Sequence, residues 1–132
     1  GLDVPVSVRS TLGWEGAHWQ ATVAAELRSG YPITVPEARY KLGDPTASTP
    51  TSYLYRPQVH NGRLPPYLRV DLTVGYQFQL LSADWTATVD VSNVTNRDNV
   101  LDRTYRPTET GVDVNRQRGL PILPLVELEM RL

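Results

Sequence analysis

The chain has 132 residues, 13 of them Lys or Arg and 14 Asp or Glu, and its net charge of −1 gives no electrostatic attraction to nucleic acid. Without Cys there is no disulfide framework and no thiolate chemistry, and no apolar run approaches the roughly 20 residues of a membrane-spanning helix. Its 11 Pro, 9 Gly and 7 Tyr favour strands and turns, no segment carries a 3.6-residue apolar period, and the fold class read from this is all-β. The opening GLDVPVSVRS has neither the basic nor the apolar region of a signal peptide.

The first predicted strand sets Val4, Val6, Val8, Leu12 and Trp14 against Ser7, Arg9, Thr11 and Gly13. A tight connection over 15–18 leads to a second, with Trp19, Ala21, Val23, Ala25 and Leu27 alternating with Gln20, Thr22, Ala24, Glu26 and Arg28. Over 29–66 the alternation stops. Pro32, Pro36, Pro45, Pro50, Pro57, Pro65 and Pro66 fall here together with Tyr31, Tyr40, Tyr53 and Tyr55, which predicts a long, partly ordered loop.

A central hairpin follows. Leu68, Val70, Leu72, Val74, Tyr76 and Phe78 alternate with Arg69, Asp71, Thr73, Gly75, Gln77 and Gln79, and after a turn over 80–84, Trp85, Ala87, Val89 and Val91 alternate with Thr86, Thr88, Asp90 and Ser92. A second irregular stretch, 94–119, holds two short strand signals, one in Val100, Leu101 and Tyr105 and one over 112–115. Pro121 and Pro124 then enter a last strand in which Val126, Leu128, Met130 and Leu132 face away from Glu127, Glu129 and Arg131.

The connections thus run short, long, short, long, the asymmetry of an outer-membrane barrel with short periplasmic turns and long extracellular loops. Alternation alone leaves open which way the apolar face points, because a soluble barrel turns it inward and a membrane barrel outward. Trp14, Trp19, Tyr76, Phe78 and Trp85 all lie on the apolar face beside the short turns, where an interfacial belt would need them. The polar face mixes Arg9, Arg28, Arg69 and Arg131 with Glu26, Asp71, Asp90, Glu127 and Glu129, which suits a lumen and a solvated exterior equally.

RLPPYLRVDLTVGYQF over 63–78 resembles the penultimate-strand signature of TonB-dependent outer-membrane receptors, and the likeness continues in Trp85 and in VDVSNVTNRDNV over 89–100. Ser29-Gly30-Tyr31-Pro32 is similar to the segment after an earlier upward strand of that family, and LPILPLVELEMRL to its terminal strand. These pieces occur in the family's order over nearly the whole chain. One departs: the family usually ends on an aromatic residue, and this chain ends on Leu132.

The resemblance implies an antiparallel up-and-down transmembrane β-barrel segment of about five spanning strands, with 1–132 forming a C-terminal part of the barrel and the plug domain absent. It implies residence in the bacterial outer membrane and energy-coupled uptake of a scarce nutrient of the siderophore-iron, cobalamin or carbohydrate class. Its partners are then outer-membrane lipid, the rest of the barrel and plug, the TonB system and a small-molecule ligand. The different class kept beside it is a soluble all-β ligand- or carbohydrate-binding module that buries its apolar faces.

No enzyme is expected, since there is no Gly-x-Ser-x-Gly, no P-loop and no dinucleotide fingerprint. No cofactor or metal is expected either, as His18 and His60 stand far apart in the sequence. Asp71 and Asp90 are read as partners of lumenal arginines such as Arg69 rather than as a catalytic carboxylate pair. In the long loops Arg39, Lys41, Arg56, Arg106, Arg116 and Arg118 are available to an anionic ligand. The candidate ligand-binding residues are Tyr31, Tyr40, Tyr53, Tyr55, Arg56, Tyr105 and Arg106, chosen because aromatic rings give large contact area at low entropy cost.

Overall fold

The structure is a computed structural model and describes residues 5–41, 51–55, 59–108 and 111–132. Eleven strands and no helix occur among them: β1 (Ser7–Glu15), β2 (Trp19–Arg28), β3 (Pro32–Ile33), β4 (Glu37–Lys41), β5 (Thr51–Tyr55), β6 (Gly62–Arg63), β7 (Tyr67–Leu80), β8 (Ala83–Ser92), β9 (Val100–Thr108), β10 (Gly111–Arg118) and β11 (Leu123–Arg131). Every strand pair is antiparallel. The chain divides into two compact units, one of residues 6–29, 66–99 and 119–132, the other of 1–5, 30–65 and 100–118.

The first unit is a five-stranded sheet in the order β1-β2-β7-β8-β11. Neighbours in space follow one another along the chain once the other unit's strands are skipped, which makes it an up-and-down meander with β1 and β11 as its edges. The register keeps every alternating set in phase. Trp14, Ala21, Val74, Val89 and Val126 form one continuous row across all five strands. Because the side-chain period is two, a single-residue slip in any pair would have turned one strand's apolar set over.

β7 and β8 are longer at the turn end than the alternation predicts. The expected turn over 80–84 contracts to Leu81 and Ser82, with φ of 54° and 62° and Leu80 paired to Ala83. Positive φ at both central residues is the type I′ arrangement that matches strand twist. No Asn or Gly marks it in the sequence, so it was legible only as a longer connection.

The second unit corrects the two irregular stretches. Within 29–66, β3 pairs with β6 and β4 with β5, and within 94–119 the two short strand signals extend into one hairpin of β9 and β10. Prolines had masked these pairings. Pro32 opens the two-residue β3, and Pro107 lies in β9, which among the described residues pairs with β10 alone, so each sits where the missing N–H is tolerated.

Gly30 fixes one crossing of this unit. A Cβ there would lie 1.6 Å from the Leu64 carbonyl oxygen, so only glycine lets the two segments approach. The approach is held by the Leu64 amide donating to the Tyr31 carbonyl (2.9 Å) and by Arg63 Nη1 donating to the Gly30 carbonyl (2.6 Å).

Candidate functional site

One face of the five-stranded sheet carries the following side chains: Val8, Ser10, Leu12 and Trp14 from β1; Trp19, Ala21, Val23, Ala25 and Leu27 from β2; Leu68, Val70, Leu72, Val74, Tyr76, Phe78 and Leu80 from β7; Ala83, Trp85, Ala87, Val89 and Val91 from β8; and Pro124, Val126, Leu128 and Met130 from β11. Ser10 is its single hydroxyl outside Tyr76, and no charge interrupts it. Among the described residues nothing covers this face. Leu12 is 73 % exposed, Trp14 61 %, Val126 72 % and Leu128 60 %, and among the described residues the buried hydrophobic side chains are Leu64 and Ala83. A soluble domain of ordinary size instead removes most of such surface from water.

The aromatics on this face follow a diagonal. Tyr76 touches Trp19 with ring centroids 4.5 Å apart, Phe78 follows at 5.9 Å, and Trp85 at 6.3 Å from Phe78. Trp14 stands in register with Val89, whereas Trp85 on that same strand lies four residues nearer the turn. Three strand spacings of about 4.8 Å against four residues of about 3.4 Å incline the aromatic line at roughly 45° to the strand normal. Strands of a closed barrel tilt from its axis by about 35–45°, so a belt at constant depth in a membrane crosses the strands at that inclination. Leu132 occupies the next place on the line by continuation of the β11 alternation.

The opposite face is polar and internally paired. Arg9, Glu26 and Arg69 are direct cross-strand neighbours, and the Glu26 carboxylate lies 3.2 Å from Arg9 and 3.1 Å from Arg28. The Arg28 guanidinium also stacks 4.1 Å from the Tyr67 ring centroid. Arg69 Nε donates to Asp71 (2.8 Å) and its Nη2 to Ser92 Oγ (3.3 Å), while Thr73 donates to Asp90 (2.5 Å). Asp71 thus pairs with Arg69 as expected, whereas Asp90 accepts from Thr73 rather than from the arginine expected for it.

At the end of this sheet away from the short turns, asparagines replace the ladder. Asn93, 1 % exposed and at φ 51°, donates from Nδ2 to the Arg97 and Leu120 carbonyls (3.1 and 3.0 Å) and accepts the Arg97 amide (3.2 Å). Its own amide donates to Asp71 (2.9 Å). Asn99, 4 % exposed, meets the Leu68 backbone with both halves of its amide, donating to the carbonyl at 2.7 Å and accepting the N–H at 3.0 Å. Asn96 Oδ1 accepts the Ile122 amide (3.1 Å). Asn93-x-x-Asn96 thus has a structural cause, and a side chain buried to this degree cannot accept a glycan despite its Asn-Val-Thr context.

The seven candidate ligand residues distribute as follows. Tyr31 is exposed beside β3. Tyr55 at the end of β5 lies under the Arg39 guanidinium, 3.6 Å from the ring centroid. Tyr40 and Tyr53 are carried by β4 and β5, and Tyr105 (half-buried) and Arg106 (exposed) by β9, while Arg56 lies outside the described residues. β4 touches β10 and β5 touches β9, which brings the two tyrosine-bearing hairpins together in one unit. Sequence reasoning passed over Arg103, although its neighbour Tyr105 was singled out.

Comparison with known protein families, curated proteins and solved structures finds no match for this chain. Among the described residues no group of three or more His, Asp or Glu is placed to hold a metal ion, and no helix is long and apolar enough to cross a membrane, which leaves crossing by strands open.

Proposed function

We propose that the five-stranded sheet is part of the wall of an outer-membrane β-barrel, and that the chain forms a C-terminal portion of the barrel of a TonB-dependent receptor. The observation that carries this reading is the unbroken apolar face whose aromatic residues run on one inclined line. That face needs lipid, since nothing among the described residues packs on it, and the inclination is the one a tilted barrel strand requires. The paired polar face then lines the lumen, and the edges β1 and β11 are completed by further strands of the same barrel.

The family assignment rests on the resemblance, and its pieces have physical sense together. Ser29-Gly30-Tyr31-Pro32 and Arg63-Leu64-Pro65 meet at the Gly30 crossing, and Arg69, Asp71 and Asn93 form one hydrogen-bonded cluster. The function is uptake of a scarce nutrient, driven through the TonB system and a plug, without bond chemistry in this chain. The connecting segments 29–66 and 94–119 face the cell exterior and contribute to ligand capture.

The test places single cysteines at Thr51, Gly111, Gly16 and Ser82 in the full-length protein in whole cells, followed by an impermeant thiol reagent. Labelling at Thr51 and Gly111 without labelling at Gly16 and Ser82 is expected. Labelling of Gly16 or Ser82 in intact cells reverses the topology and removes the capture role.

A further inference from the structure

In the β9–β10 hairpin Arg103 stands directly opposite Arg116. Like charges at directly opposed positions repel and weaken a two-stranded pairing. Alternation puts both on one face with Leu101, Tyr105, Pro107, Val112 and Val114, while the hairpin's acidic residues, Asp102 and Asp113, fall on the other. Arg106, by contrast, faces Asp113 across the ladder. The Nε of Arg103 is buried with no acceptor, and neither guanidinium has an ion-pair partner among the described residues. Leu101 and Val114, beside the pair, are 41 % and 42 % exposed.

We propose that Arg103 and Arg116 form an anion-binding clamp, and that it takes a small soluble oxyanion, a carboxylate or phosphate ester, carrying an apolar or aromatic group. Two planar guanidiniums offer forked N–H donors that match a carboxylate or phosphate, and a shared anion converts their repulsion into a bridge. Tyr105, Leu101 and Val114 supply the adjoining apolar surface for the rest of the ligand. That the bound anion is cargo rests on the receptor reading; the clamp itself does not.

Calorimetric titration of the full-length protein in phosphatidylcholine nanodiscs, with benzoate, phenyl phosphate and inorganic phosphate as probes, tests this. Phenyl phosphate is expected to bind tighter than inorganic phosphate, with affinity falling as salt rises. Arg103→Gln and Arg116→Gln should each weaken binding at least about tenfold, the scale of a lost charged hydrogen bond. Asn115→Ala, on the other face of the hairpin, should leave it unchanged and report correct folding.

Equal binding in wild type and both Gln variants overturns the clamp, as does no binding of any probe. If the variants alter only retention on vesicles of phosphatidylcholine with lipid A, the anion is a lipid headgroup and the soluble-ligand proposal fails. Probe binding lost in both variants of a protein that whole-cell labelling places outside the membrane keeps the clamp and removes the receptor. Absence of binding in a correctly inserted protein does the reverse.

Discussion

Ala21 and Val126 share one register row of the sheet, yet the inclined aromatic line assigns them different depths. They are three strands apart, and three spacings of about 4.8 Å inclined at roughly 45° put Val126 about 10 Å deeper than Ala21. Ala21 adjoins the belt, being the partner of Trp14 and only two residues from Trp19. In an apolar band about 25 Å tall, Ala21 is then interfacial and Val126 near the midplane. Arg on the lipid face costs about 2–4 kcal/mol at the midplane and about 0–1 kcal/mol near the interface.

Val126→Arg should therefore destabilise the full-length protein by about 2–4 kcal/mol and Ala21→Arg by no more than about 1 kcal/mol. Urea titration in phosphatidylcholine vesicles, read by tryptophan fluorescence and protease protection, measures both. Equal costs, or a larger cost at Ala21, would refute the inclined-belt argument. In a soluble module no membrane depth exists, and the difference should persist unchanged in detergent-free buffer.

Other outcomes follow from single contacts. Asn99→Ala leaves the Leu68 N–H and C=O without partners and should cost about 2–4 kcal/mol by urea denaturation, with hydrogen exchange at the Leu68 amide rising first. Gly30→Ala drives a methyl into the Leu64 carbonyl and should lower stability by several kcal/mol, whereas Gly13→Ala, with no neighbour nearer than 3.9 Å, should cost under about 1 kcal/mol. A spin label at Leu72 should be relaxed by oxygen dissolved in lipid and shielded from a water-soluble relaxer, and one at Thr73 the reverse; the opposite pattern at Leu72 rejects the lipid-facing assignment.

The sequence by itself determined the five long strands and their two faces, because period-two alternation is a local property and survives without knowledge of neighbours. Leu68 to Phe78 and Trp85 to Val91 could be assigned to faces residue by residue, and Arg69 was already the expected partner of Asp71. What pairs with what was decided only in three dimensions. The diagonal of Trp14, Trp19, Tyr76, Phe78 and Trp85 is invisible along the chain, since it depends on register between strands. The β3–β6 and β9–β10 pairings were hidden behind Pro32 and Pro107, which break propensity rules yet sit where the missing N–H is tolerated. Arg103 opposite Arg116 is likewise a fact of register: thirteen positions separate them in the chain, and only the folded hairpin sets Arg116, already among the candidate loop cations, against the overlooked Arg103.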